Sequence, residues 1–67
     1  MTVVVNGEPR ETVAGATVSA LLTELGHPLA GGIAVAVNGA VVPRGAWSTT
    51  ALGEQDRIEV LGAAQGG

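Results

Sequence analysis

Asp56-Arg57-Ile58-Glu59-Val60-Leu61 alternates charged and aliphatic side chains, the period-two pattern of a strand with one face in a core and one in water. Gly62 ends the run. The fold is decided by what this last strand pairs with. Two earlier stretches offer partners, and they look alike: Val3-Val4-Val5-Asn6-Gly7 and Val35-Ala36-Val37-Asn38-Gly39. Asn-Gly between apolar runs is the strongest short hairpin signal, because both central residues of a type I′ turn need positive φ. The similarity is too short for an internal repeat and reads as two uses of one turn. Thr2 to Val5 thus leads into a first hairpin, with its return strand expected at about Arg10 to Val13. Ile33 to Val37, the most strand-like run of the chain, leads into a second, returned by Ala40 to Val42 and closed by Pro43, which cannot donate to a ladder.

Between the hairpins, Ala14-Gly15-Ala16 punctuates and Thr17 is placed to cap a helix running to Leu25. Gly26 suits its left-handed stop, and Pro28 forbids continuation through the His27 to Gly32 loop. Val18, Leu21, Leu22 and Leu25 recur at i, i+3, i+4 and i+7, a single apolar stripe. Arg44 to Gly53 is expected to be irregular, with one turn around Ala46 to Thr49. Trp47, the sole aromatic residue, is expected to plug the core beneath it rather than to anchor a partner.

The element order is therefore β-β-α-β-β-β. If the last strand runs parallel to the first and between the two hairpins, the helix can cover one face of a single mixed sheet and every apolar stripe is buried. This is an α+β fold of the ubiquitin-like β-grasp type, about five strands on one helix. Parity sends Val3, Val5, Ile33, Val35, Val37, Ile58 and Val60 under the helix. The opposite face then shows Val4, Ala34, Ala36 and Leu61, with Arg57 and Glu59 beside them. Apolar side chains on an uncovered sheet face point to a docking surface, with the two charges fixing orientation.

At 67 residues the chain is one small domain, expected at 1–62, with a tail at 63–67. Such a chain buries only about 60% of its unfolded surface, so modest stability is expected. A 46% hydrophobic and 13% charged composition is that of a folded chain. It has no cysteine, which removes disulfides and thiolate metal sites. Met1 leads into valines without a basic segment, and no apolar run approaches the roughly 20 residues of a spanning helix, so a soluble cytoplasmic protein with no membrane partner is expected. Net charge is −3, with three arginines, six acids and no lysine. That argues against nucleic acid, which needs a basic face. Glu54, Asp56 and Glu59 cluster late in the chain, either as steering charges for a basic partner or as ordinary solvated charges.

No catalytic constellation is visible. His27 is the only histidine and sits in a loop, with no second ligand for a metal and no nucleophile to activate. Gly31-Gly32 precedes a strand rather than a helix and is no phosphate cradle. What remains is the tail, Ala63-Ala64-Gln65-Gly66-Gly67. Glycines have nothing to bury, so this tail is expected to stay mobile and narrow, with the Gly67 carboxylate as its chemistry. The chain reads as one handled by enzymes rather than as an enzyme.

Val3 to Glu8, Thr17-Val18 with Leu21-Leu22 and Leu25-Gly26, Ala34 to Arg44, Trp47, Asp56 to Glu59 and the final Gln65-Gly66-Gly67 together resemble the ThiS family, the sulfur carriers of thiamine biosynthesis. The most telling pieces are the Val42-Pro43-Arg44-x-x-Trp47 spacing and the diglycine. Gln55 departs from the family, whose members commonly carry glycine there, and the departure bears on that turn alone. The resemblance implies that Gly67 is the covalent site, first as an acyl-adenylate and then as a thiocarboxylate, with Gly66 and Gln65 recognised in a narrow channel. It implies no bound cofactor, ATP and magnesium being used by the partner. The partners implied are an adenylating enzyme of the ThiF type, a thiazole synthase of the ThiG type and a sulfur donor such as a cysteine desulfurase. Carriers for molybdopterin or another metabolite, a ubiquitin-like protein modifier and a plain interaction module stay open as alternatives.

Overall fold

The computed structural model describes residues 1–27 and 32–62. The loop proline Pro28, the Gly31 position and the whole 63–67 tail lie outside the described residues. Five strands form one sheet: β1 (Thr2–Val5), β2 (Glu8–Glu11), β3 (Ile33–Val37), β4 (Ala40–Val42) and β5 (Arg57–Gly62), in the order β2-β1-β5-β3-β4. β5 is parallel to β1 and antiparallel to β3, so the last strand lies between the two hairpins as expected. A single helix, α1 (Val18–Leu25), packs across one face.

The second strand needs a correction. It occupies Glu8–Glu11, not the expected Arg10 to Val13. Asn6 and Gly7 take positive φ, 49° and 85°, and this two-residue turn has no slack, so Val5 faces Glu8 directly. Pro9 lies within this strand, which as an edge tolerates a residue without an N–H. Its four residues are all exposed, and their charges keep the edge from pairing with another sheet. Val13 falls beyond the strand at 66% exposure.

Every free donor in the first turn of α1 has a partner. Val18 N–H donates to the Thr50 carbonyl and Ser19 N–H to that of Trp47, each at 3.0 Å, while Ala20 N–H donates to Thr17 Oγ1 at 3.1 Å. These are the groups a helix start normally leaves orphaned. The helix ends in a Schellman arrangement: Gly26 at φ 79° donates to Thr23, and His27 N–H reaches back to the Leu22 carbonyl at 3.0 Å. A 3₁₀ turn at Arg44–Ala46 starts the long connection and runs on into the expected turn at Ala46 to Thr49, where Thr49 N–H donates to the Ala46 carbonyl at 3.2 Å.

Parity worked as the pattern demanded. Val3, Val35, Ile58 and Val60 are buried beneath fully buried Val18, Leu21 and Leu22, with Val5, Ile33 and Val37 half-buried around them. Leu25 is only half-buried and packs at the margin, because it sits in the last turn where α1 leaves the sheet. Trp47 and Leu52 close the core from the long connection, and the indole N–H donates to the Val42 carbonyl at 2.9 Å. This is the expected plug. Gln55 takes φ 65°, the conformation glycine adopts without cost. Its N–H donates to the Thr2 carbonyl at 2.6 Å, tying the turn to β1.

Leu22→Ala removes a fully buried side chain from the centre of this core. Such truncations cost about 2–5 kcal/mol, so the melting temperature should fall by about 10 °C or more. An unchanged melt would place the helix stripe on the wrong face.

Candidate functional site

The sheet face opposite α1 is built around β5. Arg57, Glu59 and Leu61 alternate outward from it while Ile58 and Val60 point into the core. Cross-strand partners share a face, so the registers place the neighbours. Val4 lies opposite Arg57, Ala36 opposite Glu59 and Ala34 opposite Leu61. All six expected docking residues therefore occupy one surface. Leu61 is 68% exposed, Ala34, Arg57 and Glu59 are exposed, and Val4 and Ala36 are half-buried.

Two further residues belong to the surface and were missed. Val41 lies opposite Ala36 and is 76% exposed, the most open large aliphatic side chain among the described residues. Pro9 lies opposite Val4. Both follow from the two-residue turns, since Val37 facing Ala40 forces Ala36 to face Val41. A recess of about 270 Å³, lined by Val4, Gly7, Gly39, Arg57, Ile58 and Glu59, crosses β5 between the two turns. A Cβ on Gly7 or Gly39 would meet nothing within 4 Å, so those glycines serve the turn geometry and not a close approach.

Of the expected acidic cluster, two members have structural work. The Glu54 carboxylate accepts from Thr2 N–H at 3.2 Å. Asp56 Oδ2 accepts from Gly53 N–H at 2.7 Å, and its Oδ1 accepts from Asn38 Nδ2 at 3.1 Å. Only Glu59 remains on the open face. At the other margin, the Thr2 hydroxyl and then the N-terminal ammonium hold the Glu11 carboxyl below its usual range.

The two turn asparagines hold β5 from both sides. Val60 N–H donates to Asn6 Oδ1 at 2.9 Å and the Asn6 amide returns a 3.3 Å bond to the Val60 carbonyl, so a side chain continues the ladder where β1 has turned away. On the other side Arg57 N–H donates to Asn38 Oδ1 at 2.9 Å. The repeated Val-x-Val-Asn-Gly is the available signal, and in the sequence it reports turn chemistry alone.

His27 is half-buried at the helix end. Among the described residues no group of three or more acids or histidines is placed to hold a metal ion, and no helix is long and apolar enough to cross a membrane. Gly62, the last described residue, pairs with Ile33 beside the Ala34 and Leu61 pair, and so lies at the Leu61 end of the open face. Gly67, Gly66 and Gln65 lie outside the described residues.

The model of the ThiS family matches residues 3–67. The chain belongs to the ThiS family. A crystal structure of the thiamine biosynthesis protein ThiS from Geobacter metallireducens is 32% identical, with 91% of each chain covered and a TM-score of 0.82. A solution structure of a thiamine biosynthesis protein from the same organism is 32% identical over 91% of this chain and 81% of the other, with a TM-score of 0.77. A Magnetococcus marinus protein named thiazole synthase is 42% identical over 100% of this chain. The chain spans 20% of that relative's length. Being a ThiS member accounts for the β-grasp order found here.

Leu61→Asp tests whether the open face is free of folding duty. An exposed substitution away from the core changes stability by about 0.5 kcal/mol or less, so the thermal melt should match the wild type. By contrast Asn6→Gly keeps the turn's backbone freedom but strips two bonds from Val60, and should lower stability by about 1–3 kcal/mol in denaturant titration. Equal effects of the two variants would contradict the division between face and clamp.

Proposed function

We propose that this chain is a sulfur carrier of thiamine biosynthesis whose working atom is the Gly67 carbonyl carbon. The observation that carries the proposal is the family match, which runs unbroken through β5 into Gln65-Gly66-Gly67. Further support comes from the likeness to the crystal structure of the thiamine biosynthesis protein ThiS.

In this reading a ThiF-type adenylating enzyme uses ATP and magnesium. The Gly67 carboxylate attacks the α-phosphorus, pyrophosphate leaves, and an acyl-adenylate forms. A persulfide from a sulfur donor such as a cysteine desulfurase then attacks the activated carbonyl and AMP leaves. A thiol reductant separates the joined sulfurs, leaving a thiocarboxylate on Gly67. The chain has no cysteine, so no resident thiol competes for the activated terminus. It has no lysine either, so it offers itself no side-chain amine. A ThiG-type thiazole synthase is the acceptor, and the relative bearing that name supports the pairing, because it carries a stretch similar to this whole chain. Joining carrier and acceptor in one polypeptide raises their effective concentration.

Gly66 and Gln65 are recognised in the enzyme's channel, where residues without bulk can thread. The open face supplies the docking: Leu61, Val4, Ala34 and Ala36 as the apolar centre, Arg57 and Glu59 as the orienting charges. The face lies next to the strand end from which the tail departs, so binding there fixes the tail's origin.

Deleting Gly67 should leave the fold unchanged by circular dichroism and abolish ATP–pyrophosphate exchange with the cognate adenylating enzyme. Exchange that survives the deletion would refute Gly67 as the covalent site. Intact mass of the cellular protein separates the readings further: a carrier shows exchange of one oxygen for sulfur, a protein modifier shows high-mass adducts.

A further inference from the structure

The two Asn-Gly turns share backbone geometry but not protection. Asn6 and Asn38 both take positive φ, 49° and 52°, and both are followed by a glycine near φ 85°, at 85° and 86°. A glycine after asparagine leaves its nitrogen unshielded by any Cβ, and a Cβ at Gly39 would meet nothing within 4 Å. Neither the Gly7 nor the Gly39 N–H donates a hydrogen bond among the described residues. The carboxamides differ. Asn6 is exposed like Asn38, but its carboxamide is bonded through both atoms to the backbone of buried Val60 in the central strand. That of Asn38 is held in exposed positions, and its amide's partner is the Asp56 carboxylate, a bond for which water competes directly.

We propose that Asn38-Gly39 is a spontaneous modification site, where attack of the Gly39 nitrogen on the Asn38 carboxamide converts the residue to aspartate and isoaspartate. The Gly39 N to Asn38 Cγ bond forms and the Cγ to Nδ2 bond breaks. The Gly39 proton and Nδ2 leave as ammonia, and water then opens the cyclic imide at either carbonyl. No oxidant or reductant is needed. Asn6 resists the same reaction in the folded chain, because both its bonds end on the backbone of buried Val60 in mid-strand, whereas those of Asn38 end on Arg57 and Asp56 at the exposed entry to β5.

The conversion acts on the strand that leads to the tail. Where Nδ2 stood 3.1 Å from Asp56 Oδ1, a carboxylate takes its place, and two carboxylates at such a distance repel. Asp56 cannot simply retreat. Its Oδ2 holds Gly53 N–H at 2.7 Å and its carbonyl accepts from Val4 N–H at 2.9 Å, so the strain falls on the entry to β5. Isoaspartate adds a main-chain carbon to a two-residue turn and disturbs the Val37 and Ala40 pair as well.

The test ages the purified full chain at mildly alkaline pH, folded and in denaturant, and maps each site by peptide mass and isoaspartate content. In the folded chain Asn38 should convert several-fold faster than Asn6: each carboxamide makes two bonds, but those of Asn6 are to the backbone of buried Val60 and open less readily than the exposed pair of Asn38. In denaturant the two rates should converge. Equal rates in the folded chain, faster loss of Asn6, or a folded Asn38 that stays intact while the denatured chain converts would each overturn the proposal. For the consequence, Asn38→Asp should melt below wild type, and adding Asp56→Asn should restore the melt by exchanging donor for acceptor. An Asn38→Asp variant that melts like wild type would remove the proposed effect on β5.

Discussion

The fold depends on how β5 is held. It is the middle strand of the sheet, yet its ladder with β1 has only the Val4–Arg57 and Val5–Ile58 registers, against five with β3. A parallel ladder so short closes only after nearly the whole chain has been ordered, which is entropically costly. The Asn6 carboxamide supplies what the backbone cannot, pairing with both polar groups of Val60 after β1 has turned into its hairpin. On the other flank the Asn38 side chain and main chain both hold Arg57. One residue type thus satisfies a positive φ and a strand partner together, so each turn and the register of β5 are fixed by one side chain.

Once the register is set, both faces follow. Ile58 and Val60 must enter the core, and Arg57, Glu59 and Leu61 must leave it. A slip by one residue would bury two charges beneath Leu21 and Leu22, so competing registers are strongly disfavoured. The same lock that stabilises the core therefore composes the open face, and neither can be altered without the other while β5 keeps its place.

Much of this was legible because it rests on local periodicity and turn chemistry. Thr17 and Gly26 marked the helix ends, Asn-Gly marked both hairpins, and the alternation in Asp56 to Leu61 announced the two faces of β5. The start of β2 was misplaced because the expected return strand left slack after Asn6-Gly7, whereas the two-residue turn sets Glu8 directly opposite Val5. The roles of Glu54 and Asp56 were hidden for a different reason: their partners, Thr2 and Asn38, are remote in sequence. Val41 could have been found by counting across the second turn. The clamp at Val60 could not, since nothing in a turn asparagine says that its side chain will meet a strand 54 residues away.

The helix start, which in many folds is a ready anion site, is closed here by Thr50, Trp47 and Thr17. The buried threonine, Thr12, has its hydroxyl bonded to Glu24 at 3.0 Å, and among the described residues no buried side-chain polar atom is left without a partner. The buried polar side chains among the described residues are thus engaged in holding the domain together. The open face is the exception, with aliphatic side chains exposed on both sides of an Arg57 and Glu59 pair that neither forms an ion pair nor caps a turn among the described residues. Under the proposed function that face is the docking surface, while the core, the caps and the turns hold the domain together. Under the carrier reading this separation has a direct advantage, since the reacting carbon can change its chemical state at Gly67 while the surface that enzymes recognise stays the same.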